Sequence, residues 1–334
     1  MTLTRPPRGW KAPRPAEPTS DAAPDSGPPR GWRPRQPPKP PRRPPPPPVV
    51  VVLSRQDQLV RTVFAIIAAL IFGFLANLTV LGELQHMVSQ QQLTDTLRTE
   101  LAQGTTPVSE GTVDKVLLAD GAPLGIIDIP AIGVHEVFVE GSDSGTTRSG
   151  PGHRRDTVLP GQAGISVVMG RAAAYGGPFA RIQELSPGQE FTVLTGQGEQ
   201  TFEVIGVRYA GDPAPTPLAA GHSRLILETA RGPAFIPNGV ARVDAELTSA
   251  TQPAGVRQTS FSTLAPEHKE LATDTTTVWA LAFALQFFLL IEFAAVWSFR
   301  RVGVRKTWTV LVPVVTLGGL LVADQVVRLL PNLL

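Results

Sequence analysis

The sequence predicts a mainly β fold: an extracytoplasmic β-barrel carried on three transmembrane helices and preceded by a disordered Pro/Arg-rich tail. Three observations predict it. Three apolar runs approach the ~20 residues that cross a ~30 Å hydrocarbon slab. About seven short β-branched runs, separated by Gly, Pro and Asp, lie between the first apolar run and the second. Residues 1–50 hold 18 of the chain's 34 prolines and ten Arg or Lys, opposed only by Glu17, Asp21 and Asp25. The 334 residues contain no cysteine, which excludes disulfides, a thiolate nucleophile and cysteine-ligated zinc.

The tail, residues 1–58, has too few aliphatic side chains to offset chain entropy, so no fold is expected there beyond local polyproline II. It repeats Pro-Pro-Arg-Gly-Trp at residues 6–10 and 28–32. This repeat is either low-complexity drift or a docking element whose tryptophans and arginines meet a lipid interface or a partner. The first span is placed within residues 59–82, with its apolar run at 60–81, and is read as a retained anchor. Residues 83–115 form a helical stalk and linker, with Leu84, Met87, Leu93, Leu97 and Leu101 at partly helical spacing and Gly104 ending the helix.

The barrel occupies residues 116–250, with candidate strands at 124–129, 136–139, 166–169, 190–194, 200–210, 224–229 and 240–247. In the last, Ala241, Val243, Ala245 and Leu247 share the core face, and Val240, Arg242, Asp244 and Glu246 the other. A linker (251–275) leads to the second span (276–299). A connector (300–307) carrying Arg300, Arg301, Arg305 and Lys306 leads to the third (308–330). Its charges mark the connector as cytoplasmic, as the basic tail does for the N-terminus. The barrel then faces outward from a multi-pass plasma-membrane protein. Glu292 in span two either snorkels toward Arg300 or Arg301 or contacts another membrane protein, whereas Asp324 lies near Arg328 at the outer interface.

Several fragments, in order, resemble the sortases, cysteine transpeptidases of the Gram-positive cell envelope. Ile127-Asp-Ile-Pro-Ala-Ile-Gly-Val134 is similar to the family's first strand and turn, and Val139-Glu-Gly141 follows. Ser149-Gly-Pro-Gly-His153 and Leu159-Pro-Gly-Gln162 resemble the approach to the histidine-bearing strand. Val167-Val-Met-Gly-Arg-Ala-Ala-Ala-Tyr-Gly-Gly-Pro-Phe179 resembles the segment that carries the histidine, and Leu225-Ile-Leu-Glu-Thr-Ala230 the strand that ends in cysteine. The resemblance implies a sortase-like barrel. It also implies that the family's histidine, cysteine and arginine positions are Arg171, Ala230 and Val240 here. A methyl group cannot attack a carbonyl, and a guanidinium cannot serve as the proton donor near neutrality.

Four residues remain as candidates for binding at the cleft: Arg171, Arg242, Thr229 and Tyr175. Arg242, two residues beyond Val240, shares its face. Arg171 either helps to make the cleft cationic, or is a solvated surface charge, or pairs with Asp244 or Glu246. Thr229 has a hydroxyl beside Ala230, but strand alternation turns it away. His153 reads as a loop-ordering residue, and His135 and His222 as surface-turn residues. No metal-ligand spacing, cofactor motif or nucleic-acid partner is expected. The expected function is a catalytically inactive, membrane-anchored envelope protein that binds a peptide or cell-wall ligand or serves as an accessory subunit of a membrane complex. The alternatives are a transpeptidase or hydrolase with a rearranged, non-cysteine site around Arg242, Thr229 or His153, and a purely structural membrane anchor.

Overall fold

Described here are residues 54–112, 114–302 and 304–334 of a computed structural model; the expectations for residues 1–53, including the repeated pentapeptide, lie outside them. Ser54 caps α1 (Arg55–Ala76), its hydroxyl accepting from the Asp57 N–H. A π-turn at Asn77–Leu81 continues it into α2 (Gly82–Gln103). Gly104 ends the rod in the left-handed region, at φ 68°, where glycine carries no Cβ penalty.

The barrel strands are β1 (Pro123–Ile129), β2 (Val134–Glu140), β3 (Gly152–His153), β4 (Gly164–Met169), β5 (Glu190–Thr195), β6 (Gly198–Tyr209), β7 (Ser223–Arg231) and β8 (Gly239–Leu247). They close in the order β1-β2-β3-β4-β7-β8-β6-β5. The β2–β3 and β4–β7 pairs are parallel. Inward side chains such as Leu124, Phe138, Phe202, Leu225, Leu227 and Val243 form one dry core. All seven expected strands are present, most with one or two more residues at their ends. The eighth, β3, has only two residues and cannot express a period-2 pattern. Gly125 is required where β1 meets β5, because a Cβ there would lie 2.1 Å from the Leu194 carbonyl oxygen.

The helical stalk is present, but α2 lies along the barrel instead of spacing it from the first span. Of its apolar residues Leu97 is fully buried, whereas Leu84 and Met87 remain 48% and 50% exposed. Polar groups complete the docking. On β2 the short β3 covers Val139 and Glu140 alone, which leaves the preceding edge open. Gln90 fills that edge: its amide nitrogen donates to the Val137 and Ser149 carbonyls at 3.0 and 2.7 Å, and its oxygen accepts from the Val137 N–H at 2.8 Å. A side-chain amide thus stands in for a missing strand partner.

Helices α3 (Val278–Val302) and α4 (Val304–Arg328) form a hairpin, and α4 also packs on α1. Three helices are long and apolar enough to cross a membrane. Their outer faces carry Phe64, Phe72, Phe283 and Phe293, each at least 65% exposed. The ends nearest the barrel meet it at a small apolar cluster of Leu78, Tyr175, Ala174 and Val327.

Residues 251–275 are not a free linker. Gln252 bridges to Gln162, His268 accepts the Ser142 N–H on Nδ1 at 3.1 Å, and Glu270 reaches Arg242. They form a strap across the barrel. Its polar anchors have no periodicity, so the sequence pattern did not reveal them.

Candidate functional site

Strand alternation on β7 determines which residues face the candidate cleft. Leu225 and Leu227 point into the barrel core, while Ile226 and Ala230 point out of it. Across the β7–β8 register Ala230 opposes Val240. The β4–β7 ladder ends at Met169↔Glu228, and the Gly170 N–H extends it to the Glu228 carbonyl at 2.9 Å. Arg171 and Ala230 therefore leave the barrel at the same end. Gly170 itself has no room for a side chain, since a Cβ would sit 2.4 Å from the Phe179 ring.

This end of the barrel is occupied. Val167, Met169, Ile226, Ala230 and Val240 form one buried apolar cluster with Leu333 and Leu334, from the segment that follows α4. The Ala172 N–H donates to the Leu333 carbonyl at 2.9 Å. Asn332, fully buried, donates its side-chain amide to the Ser142 and Lys269 carbonyls at 2.6 and 2.8 Å. Its own N–H reaches the Ala272 carbonyl at 3.0 Å. The strap and the segment after α4 thus lock onto each other above the cleft.

Arg171 has no solvent exposure, which overturns its reading as a solvated charge. Its guanidinium donates to the Ser144 carbonyl at 2.7 Å, the Ser144 hydroxyl at 3.0 Å and the Leu334 main-chain oxygen at 2.9 Å, with a longer contact to Pro331. It lies 5.1 Å from the Tyr175 ring centroid. Burial, aided by Arg148, lowers its pKa to about 10, against the opposing pull of Tyr175 and Asp143; it stays a cation at neutral pH. Neither expected carboxylate pairs with it, because Asp244 bonds Arg208 and Glu246 bonds Arg224.

Arg242 is the bridge of a second, charged layer. Its Nε donates to Glu228 Oε1 at 2.8 Å, and its terminal nitrogen bonds Glu270 of the strap. Arg154 lies 3.9 Å from both carboxylates. Burial first, and then the neighbouring Glu270 charge, raise the Glu228 carboxyl to about 7, against the pull of Arg154 and Arg242. The Arg242 guanidinium is pulled down by burial but raised overall by its two carboxylate partners.

The expected free cationic cleft is therefore corrected: one guanidinium is engaged by main-chain and hydroxyl oxygens and the other by two carboxylates. Thr229 does not line the cleft, since its hydroxyl donates to the Gly170 carbonyl at 2.9 Å on the opposite face of β7. Tyr175, at φ 52° and 1% exposed, packs between Arg171 and the helix ends. His153 is fully buried and orders its loop, with Nδ1 3.1 Å from Glu140 and Nε2 2.9 Å from the Val158 carbonyl. His135 is exposed, but on strand β2 and not in a turn, and His222 is exposed in the turn before β7.

Sequence reasoning passed over Glu228, Glu270 and Arg154. Glu228 was within reach of it, being two residues before Ala230 on the same face; Glu270 and Arg154 come from irregular segments. It also passed over Asp120, Asp143 and His268, whose ligand-type atoms lie within 4.8 Å of one another. Those groups are engaged internally: Asp120 by Arg155, Asp143 by the Gly145 N–H, and His268 by the Ser142 N–H.

Residues 127–231, which run from β1 to the end of β7, match the family model described as the sortase domain. The barrel is a sortase-family domain. Sortase D of Bacillus subtilis (strain 168) is 28% identical over 124 residues, a match that covers 36% of this chain and 61% of that relative. Among solved structures, a Clostridium perfringens sortase D5 transpeptidase is 20% identical, covering 49% of this chain and 98% of that one at a TM-score of 0.38. Sortase E1 of Streptomyces coelicolor, solved with a tripeptide in its active site, is 23% identical over 39% of this chain and 91% of that one, at a TM-score of 0.34. The sortases are a family of cell-wall transpeptidases. The sortase domain of this chain contains no cysteine, and the outward end of its β7 carries a methyl group.

Proposed function

We propose that this protein is a non-catalytic sortase, held in the plasma membrane by three spans with its barrel outside, whose cleft binds peptide without cleaving it. The observation that carries this reading is the chemistry at one end of the barrel. Ala230 and Val240 face each other in an apolar pocket, and the two terminal nitrogens of the buried Arg171 are bonded to main-chain and hydroxyl oxygens. Acyl transfer needs a polarisable nucleophile and a group that titrates near neutrality to protonate the leaving amine. The pocket supplies no nucleophile, and the position that matches the family's histidine is a guanidinium. What remains is apolar shape and a fork of charged donors, which suit recognition of a peptide's side chains and carbonyls.

Three features support the membrane placement: the exposed aromatic faces of α1 and α3, the basic residues Arg300, Arg301, Arg305 and Lys306 of the sequence around the α3–α4 turn, and the junction of the helix ends with the barrel. One observation favours the rearranged-enzyme alternative, namely the Glu228 carboxyl that titrates near neutrality beside Arg242. It has no nucleophile beside it, because Thr229 faces the other way.

The test incubates the full-length protein in detergent with a sorting-signal peptide library and a glycine nucleophile. The expected result is no turnover above a heat-inactivated control. Turnover that survives in an Ala230→Gly variant but is lost in Glu228→Gln would replace this proposal with the rearranged enzyme.

A further inference from the structure

The segment after α4 is seated as a ligand would be. Leu333 and Leu334 fill the apolar pocket against Ala230 and Val240, the guanidinium of Arg171 holds the Leu334 oxygen, and the Ala172 N–H holds the Leu333 carbonyl. Every one of these contacts reads either a leucine side chain or a peptide carbonyl. The segment has no regular structure of its own and is tied at its start to the barrel, where the Ser144 hydroxyl makes close contacts with the Arg328 and Leu330 carbonyls, at 3.1 and 2.7 Å.

We propose that residues 330–334 are an intramolecular pseudo-ligand: the cleft recognises a short peptide of Leu-Pro-Asn-Leu-Leu chemistry, and the chain's own segment holds it closed until it is displaced. This deepens the binding function proposed above and rests on it. The leucine pair supplies the apolar anchors, and Arg171 supplies specificity for main-chain oxygens. Tethering raises the segment's local concentration to the millimolar range, so a peptide of equal intrinsic affinity competes poorly from solution. Displacement would also break the Asn332 bonds to the strap. An incoming peptide would therefore loosen the strap that leads into α3 and the segment that ends α4 together, which gives the membrane hairpin a direct mechanical link to cleft occupancy.

The experiment uses a dye-labelled peptide with the sequence of residues 328–334 and reads anisotropy on the full-length protein in nanodiscs. The wild-type chain is compared with a Leu333→Asp plus Leu334→Asp variant, whose barrel integrity is checked by its melting temperature and by amide protection of β7 and β8. The open variant should bind the labelled peptide at least ~100-fold more tightly than wild type. A peptide with both leucines replaced by Asp should not bind, and adding Ala230→Trp to the open variant should abolish binding. A folded open variant that fails to bind, or a wild type that binds equally well, overturns the pseudo-ligand. If the unfolding controls show that the double variant is damaged, Asn332→Ala, which leaves the pocket intact, replaces it and must still show tighter binding than wild type. Peptide turnover by the open variant would instead defeat the non-catalytic reading, so the two failures are distinguishable.

Discussion

Replacing Arg171 by Met separates two roles that one buried guanidinium could serve. Methionine keeps an unbranched stem of similar length and removes only the charged fork. On the segment side the fork makes one well-formed bond, to the Leu334 oxygen at 2.9 Å, since the Pro331 contact at 3.4 Å is at the geometric limit. A hydrogen bond from a charged donor contributes about 1.5–3 kcal/mol, so its loss should shift the docked and released populations roughly 10- to 150-fold. On the barrel side two effects oppose each other. The Ser144 carbonyl loses its 2.7 Å donor, at a cost of about 1–3 kcal/mol, while removal of a fully buried cation relieves its desolvation. Barrel stability should therefore move little. Hydrogen exchange read by mass spectrometry should show the 329–334 peptide losing its protection by one to two orders of magnitude, with the β4, β7 and β8 peptides unchanged. Unchanged protection of 329–334 would refute the role of Arg171 in holding the segment. Collapse of the strand peptides together with it would show that Arg171 is a strut of the barrel instead.

Other expectations follow from the same geometry. The Glu228 carboxyl is raised from its ordinary value of 4.5 to about 7 in the folded chain, so the folded state binds the extra proton and stability should fall as pH rises from ~4.5 to ~7. At about 1.36 kcal/mol per unit the span amounts to roughly 3 kcal/mol at most. Glu228→Gln should flatten that slope in barrel melting temperatures taken at pH 5 and pH 8, and an unchanged slope would assign the titration to another group. For His86, burial pulls the pKa down but the bond and charge of Glu136 raise it overall. The His86–Glu136 pairing should therefore be fully present below ~6.5 and fade as pH passes the raised value, seen as lower protection factors of α2 amides, after normalising to the intrinsic exchange rate, at pH 9 than at pH 6; His86→Gln should remove the difference. Gly170→Ala drives a Cβ to 2.4 Å from the Phe179 ring, and overpacking of this kind costs about 1–3 kcal/mol, measurable as a lower melting temperature.

The strands and the three long apolar helices were legible because period-2 alternation and long apolar runs are local signals. On β8, Ala241, Val243 and Ala245 are all fully buried, as their alternation required. The family fragments likewise placed Arg171 and Ala230 at the same end of the barrel. Legibility failed where long-range contacts decide. Arg171 and Arg242 are two charged residues of one type in the sequence, yet one is wrapped by carbonyls and the other clamped by Glu228 and Glu270. That difference depends on the strap and on the segment after α4, which approach from 28 to 163 residues away along the chain. Leu333 and Leu334 follow the third apolar run, and nothing in their spacing shows that they fill a pocket on the barrel. The docking of α2 escaped for a related reason: Gln90 acts through its amide at an open strand edge, where hydrophobic periodicity is silent.

The most direct test of the central claim, a sortase cleft emptied of its chemistry and filled by its own chain, uses the lack of cysteine in the sequence. Ala230→Cys would place a single thiol at the buried end of β7, and its alkylation rate by a maleimide reports how often the cleft opens. The account predicts slow labelling in the otherwise wild-type chain and labelling at least tenfold faster, on the order of a ~1.4 kcal/mol change in the opening equilibrium, once Leu333→Asp and Leu334→Asp are added. Rapid labelling of Cys in the chain that retains both leucines would mean that the cleft stands open, and would contradict it.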